Sequence, residues 1–170
     1  MARKVVKMLS FDTSTTDSGW ALWKNGILTD YGNIDLTKEK DINKVDEMSK
    51  RLISIIKQVK PDIIVCEDAN VSKDIKTLKK LSEIIGVLRG CALSYPDCWF
   101  DKLIPGEWKC LIASENETIP TKREQCKAWS IKKTKELFDI STKNDNISDA
   151  ILIGEAYKRL FSEKNADYKE

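Results

Sequence analysis

Asn25-Gly26 separates two segments of alternating apolar residues, and no other feature of this 170-residue chain constrains its fold as tightly. Both residues tolerate positive φ, so the pair is a strong hairpin signal. Just upstream, Trp20 and Leu22 alternate with Ala21 and Trp23, which is strand periodicity. Before them, residues 4–11 (KVVKMLSF) are rich in β-formers and stop abruptly at Asp12. Three antiparallel strands are therefore expected over residues 4–36. The period then changes. Val45, Met48, Leu52, Ile56 and Val59 recur at helical spacing, predicting a helix over 43–59 that stops before Pro61. Residues 62–66 (DIIVC) follow as a short continuous apolar run, which reads as a buried parallel strand closing on Glu67. A meander joined to a parallel strand demands a mixed sheet with helices on its faces.

The remaining pattern completes that sheet. Ile75, Leu78, Leu81, Ile85 and Leu88 mark a second helix reaching about Ser94. Residues 98–103 read as a fifth strand, and 105–113 as a short helix with Pro105 in its first turn. Thr121-Lys122-Arg123-Glu124 has capping-box spacing and opens a further helix. Ala150, Ile153, Tyr157, Leu160 and Phe161 mark a last helix over 147–163. The expected fold is α/β, a five-stranded mixed sheet of three antiparallel and then parallel strands, flanked by helices. One domain is expected over 1–163, with a polar tail over 164–170.

Composition narrows the chemistry. The chain has no histidine, which excludes Ser-His-Asp and Cys-His nucleophilic sites, a histidine base and imidazole-bound zinc. Its five cysteines are odd in number and contain no C-x-x-C pair, so free thiols in a reducing cytoplasm are expected. No signal peptide and no membrane span of about 20 apolar residues is read. The formal net charge is only +2.

Three carboxylates sit at structural punctuation. Asp12 and Glu67 each end an apolar strand, and Asp149 lies near the start of the last helix. If the first and fourth strands are neighbours, Asp12 and Glu67 emerge at one edge, and a helix across that edge brings in Asp149. Convergent carboxylates without histidine make a hard oxygen site, suited to Mg²⁺ or Mn²⁺. Two such ions about 3.5–4 Å apart hydrolyse phosphodiesters with no side-chain base near neutrality. Taken singly, each acid reads more readily as a cap or turn residue, and Asn146 with Asp149 as an N-cap and its partner.

The segment LSFDTSTTDSGWAL resembles the first motif of the RuvC family of Holliday-junction resolvases. IIVCEDANVSKDIKTLKKLSEIIGVLRG resembles the second, and NDNISDAILIGEAY the third. IPGEWKCLIA and IPTKREQCKAW resemble the intervening segment with two DNA-facing lysines. The likeness covers about residues 5–160. It implies a ribonuclease H-like fold, a homodimer and Mg²⁺-dependent nicking of branched DNA, chiefly four-way junctions, with no nucleotide cofactor. It implies Asp12, Glu67 and Asp149 as metal ligands, and Lys109 and Lys122 as catalytic lysines near the scissile phosphate. The family's helix-opening acid, three residues before Asp149, is Asn146 here, with Asp145 one position earlier, so either can stand as the fourth ligand. An aromatic that bacterial cellular members often carry three residues after the strand-end Glu is replaced by Asn70. The lysine- and asparagine-rich chain looks like a phage-encoded relative.

The charge is segregated along the sequence. Residues 30–47 hold three lysines against six carboxylates. Residues 71–90 hold five basic residues against two acids, and residues 120–135 six against one. Lys76, Lys79, Lys80, Lys109, Lys122, Arg123, Lys127, Lys132 and Lys133 are the candidates for backbone phosphates. Lysine-rich helix surfaces also arise simply for solubility. Trp20, Trp23, Trp99 and Trp129 read as core or interface, and Trp108, beside Lys109, as the aromatic to test for DNA contact. The leading function is resolution of four-way junctions by paired symmetric nicks. The alternatives are a broader endonuclease for forks, flaps and three-way branches, a catalytically weak junction-binding module, and an actin-like kinase or ATPase. The last shares the opening strand, Asp, polar loop and Gly-led hairpin, but needs two such lobes and usually well over 170 residues.

Overall fold

The computed structural model describes residues 5–69 and 74–167, with side chains as far as Phe161. Strand β1 runs Lys7–Asp12, β2 Asp17–Lys24 and β3 Ile27–Asp35. Asn25 and Gly26 turn β2 into β3 at φ of 52° and 76°. Helix α1 (Lys44–Val59) starts at Asn43, whose side chain accepts from the Val45 and Asp46 N–H groups, and ends before Pro61. Strand β4 (Ile63–Glu67), helix α2 (Ile75–Leu93), strand β5 (Trp99–Leu103) and helix α3 (Pro105–Ile112) follow. Helices α4 (Arg123–Phe138) and α5 (Asp145–Asp167) complete the chain. Asn70 and Lys73 lie outside the described residues.

The sheet order is β3-β2-β1-β4-β5. β1 pairs antiparallel with β2, and parallel with β4. β4 pairs parallel with β5. The mixed five-stranded sheet expected from the hydrophobic pattern is the one found.

Side-chain alternation splits the core in two. Leu9, Phe11, Ile64 and Cys66 face α1 and α2, meeting Met48, Leu52, Ile56, Ile84, Ile85 and Leu88. Met8 and Val65 face the opposite way, with Trp108, Ile112, Trp129 and the apolar face of α5. Helices α3, α4 and α5 thus share one face of the sheet.

Three local expectations change. The capping box at Thr121–Glu124 does not form. Lys122 is the N-cap of α4 and makes no side-chain cap bond. Helix α5 starts two residues early, because Asn144 caps it, its Oδ1 accepting from the Asn146 and Ile147 N–H groups. Neither Asn146 nor Asp149 plays that part. The helix also runs on to Asp167 rather than stopping at residue 163, so the first residues of the expected polar tail are helical.

Candidate carboxylate site at the sheet edge

Register brings the first two acids together. Phe11 pairs with Cys66 across the parallel β1–β4 ladder, so Asp12 and Glu67 come next on adjacent strands. Direction follows from the two-residue period. Asp12 shares a face with Ser10, and Ser10 Oγ donates to the Ala150 carbonyl of α5 at 2.7 Å. Glu67 shares a face with Val65, in the α5-side core. Both carboxylates therefore stand at the C-terminal ends of their strands, on the side covered by α5.

Two glycines let α5 lie close. A Cβ at Gly19, the β2 partner of Asp12, would stand 1.9 Å from the Asn146 carbonyl oxygen. A Cβ at Gly154 would stand 2.2 Å from Trp23 Nε1 and 2.6 Å from Ser10 Oγ. Asp17 adds a polar strap across this junction. It accepts from Asn144 Nδ2 at 3.1 Å and from Asn33 Nδ2 at 2.7 Å. The first turn of α5 is held against the β1–β2 edge, which carries Asp149 to the strand-end acids.

Asp149 is the electrostatic focus. Its Oδ1 is buried with no hydrogen-bond partner among the described residues. Burial pushes its carboxyl well above the usual carboxylate range, and the Glu67 and Asp145 charges push the same way. The Ser130 hydroxyl and the Lys109 charge oppose them. Asp145, the first residue of α5, also lies 3.4 Å from Lys127 Nζ. A buried carboxyl oxygen without a donor, beside two further acids, is an arrangement that a cation would relieve. Among the described residues, no group of three or more His, Cys, Asp and Glu side chains is placed so that it could hold a metal ion as it stands. The donor set is all hard oxygen, but its shell is not preformed.

The predicted basic residues divide. Lys109 reaches Asp149 electrostatically. Lys76, Lys79, Lys80, Lys122, Arg123 and Lys132 are exposed. Lys133 is corrected. It is buried, 2.5 Å from Glu117 Oε2 and 3.4 Å from Glu136 Oε2, so its charge is taken up by acids of this protein rather than offered to DNA. Trp108 is corrected too. It is fully buried, and its Nε1–H donates to Glu67 Oε2 at 2.8 Å. The clue in the sequence was Ile112, four residues on, which gives this short helix an apolar face. Trp23 and Trp129 are core, whereas Trp99 is 62% exposed on the edge strand.

The chain aligns with Thermus thermophilus RuvC, solved in complex with a Holliday junction substrate, at TM-score 0.68 and 11% identity. The alignment covers 93% of this chain and 96% of that one. The fold is the RuvC fold. A second Thermus thermophilus RuvC structure matches at TM-score 0.67 and 12% identity, over 94% of this chain and 97% of that one. The yeast mitochondrial Holliday junction resolvase Ydc2 matches at TM-score 0.62 and 13% identity, over 92% of this chain and 79% of that one. No family model and no curated protein sequence matches. Within the RuvC fold, Asp12, Glu67 and Asp149 lie at one edge of the central sheet. No helix among the described residues is long and apolar enough to cross a membrane.

Proposed function

We propose that this chain is a divalent-metal-dependent endonuclease that resolves four-way DNA junctions by paired symmetric nicks. The observation that carries the proposal is the meeting of two strand-end acids, Asp12 and Glu67, with Asp149, whose Oδ1 is buried, delivered by α5. The RuvC fold supports it, since two of the similar structures are a resolvase and a RuvC bound to a Holliday junction.

Asp12, Glu67 and Asp149 would hold Mg²⁺ or Mn²⁺, two ions per site, with oxygen donors throughout. Asp145 is favoured over Asn146 as the fourth ligand, because its charge already acts on Asp149. Bound there, such ions would activate water as the nucleophile and offset charge on the leaving oxygen. The protein's own residues orient and neutralise. Lys109 sets a positive charge beside Asp149, where a scissile phosphate would approach. Lys122 and Arg123 open α4 at the surface, and Lys127 stands by Asp145. Lys76, Lys79 and Lys80 line the start of α2 as cations for an incoming arm. A homodimer suits the task, since a four-way junction presents two symmetric scissile strands. A cytoplasmic, phage-type setting accords with the free cysteines and the composition.

The test uses labelled four-way, Y-shaped and linear DNA with Mg²⁺. The native protein should place paired nicks in the four-way junction. Asp12→Asn should lower that rate at least about a thousandfold while junction binding survives, because an electrostatic metal ligand is lost. Equal cutting of forks and flaps would favour the broader endonuclease. Binding without metal-dependent nicking would leave a junction-binding module.

A further inference from the structure

Trp108 touches two residues of the carboxylate site at once. Its indole N–H donates to Glu67 Oε2 at 2.8 Å. Lys109 Nζ stands over the same ring, 5.2 Å from its centroid. Behind it, the Trp129 ring lies 6.3 Å away, tilted by 43°. The side chain is fully buried among Leu103, Ile112 and the α5 residues of the same core. A rigid ring thus meets the anion with its polar edge and the cation with its π face.

We infer that Trp108 is a positioning residue, whose indole fixes the Glu67 carboxylate relative to Lys109 and so sets the strength of cation binding at the site. The inference rests on the metal-dependent reading above. Glu67 has a longer side chain than Asp12, with more torsional freedom to lose when a ligand fixes it. The indole nitrogen only donates, so it meets Glu67 Oε2 as an acceptor and fixes the plane of the carboxyl group. Mg²⁺ demands near-octahedral geometry, and a ligand already held in one plane meets that demand at lower cost. Outer partners of this kind commonly change metal affinity by about 10–100-fold. The face contact with Lys109 keeps a mobile ammonium at the same place.

A purely structural role predicts something different, and the molecule contains its own control. Trp129 lies in the same core and makes the same kind of bond, its Nε1–H donating to Glu117 Oε1 at 2.9 Å. Glu117 lies in the α3–α4 connection and is not one of the site acids. Trp108→Phe and Trp129→Phe each remove one indole N–H and little volume.

The experiment titrates Mg²⁺ into the DNA-free full chain by calorimetry, for the native protein and both variants. Trp108→Phe should weaken Mg²⁺ binding about tenfold, and Trp129→Phe should leave it unchanged. In the native protein, the indole N–H signal of Trp108 should move in a ¹⁵N–¹H spectrum as Mg²⁺ is added, while that of Trp129 stays. Native affinity in Trp108→Phe, or equal weakening in both variants, would overturn the inference. So would a Trp108 signal that ignores Mg²⁺. If Trp108→Phe does not fold, the native spectrum decides, with signals assigned from single replacements of the other tryptophans. A native protein that takes up no Mg²⁺ sinks the metal reading and this inference with it. Native uptake with an unaffected Trp108→Phe sinks the inference alone.

Discussion

Gly19 shows how much a single missing side chain can decide. Its Cβ would land 1.9 Å from the Asn146 carbonyl oxygen, a backbone atom with no room to retreat. At Gly154 the obstacles are side chains, Trp23 Nε1 and Ser10 Oγ, and alanine there also gains helix propensity. Gly19→Ala should therefore cost at least about 1–3 kcal/mol and push the start of α5 off the sheet. Nicking should fall further than stability. Denaturant melts of Gly19→Ala and Gly154→Ala, read beside their nicking rates, test this. A Gly19→Ala protein as stable and active as native would show that α5 accommodates the methyl group. The strand-end acids were legible in the sequence because an apolar run that halts at a carboxylate marks a strand's mouth. Trp108 was legible only through Ile112, four residues on, since a two-turn helix offers no more than one such repeat to show which way a Trp-Lys pair turns. Lys133 was not legible, because a tally of charges is blind to burial.

At the level of elements, the connection between α3 and α4 is fastened by Glu117. Its carboxylate accepts from Lys133 Nζ, the Ser114 N–H and Trp129 Nε1–H. The Lys133 hydrogen bond, then the Ser114 N–H, bring its carboxyl from the ordinary 4.5 down to about 2. A carboxyl depressed on folding lends stability above its unfolded value, and that stability drains away as pH falls towards the folded one. Between about pH 4.5 and 2 the native Tm should fall more steeply than that of Glu117→Gln, which keeps only the share of the other lowered carboxyls, Asp35, Asp74 and Asp139. At pH 7 the variant should melt lower, with a buried ammonium deprived of its nearest acid. The two curves should approach each other near pH 2. Thermal melts across that range check it, and parallel curves would show the pair to be inert. Element types and order could be read from the sequence because amphipathic periods are long-range averages. Helix starts were harder. Three polar residues, Asn144, Asp145 and Asn146, could cap α5, and Asn144 does so, held by Asp17 and by the Thr142 hydroxyl.

At the scale of the whole molecule, a formal charge of +2 conceals a sorted surface. Lys76, Lys79 and Lys80 are exposed on α2, while Lys133 is spent inside the protein. Junction affinity should thus depend on salt through Lys76, Lys79, Lys80 and the other exposed cations, and not through Lys133. For every DNA phosphate that a lysine no longer neutralises, the slope of log affinity against log salt becomes shallower by about 0.9. Replacing Lys76, Lys79 and Lys80 together by glutamine should flatten that slope. Lys133→Met should leave it intact and lower Tm. Fluorescence anisotropy with a four-way junction across a NaCl series makes the comparison. An unchanged slope in the triple variant would remove α2 from the DNA path.

The placement of Asp149 on α5, the last element in chain order, has a consequence in time. A chain emerging from the ribosome completes β1 and β4 long before it completes the helix that brings the third acid. The carboxylate cluster stays dispersed until synthesis of that helix is finished and it has docked. On the proposed reading, such a centre assembles only once α5 has been made and has docked, and a nascent chain still lacking α5 lacks its third acid.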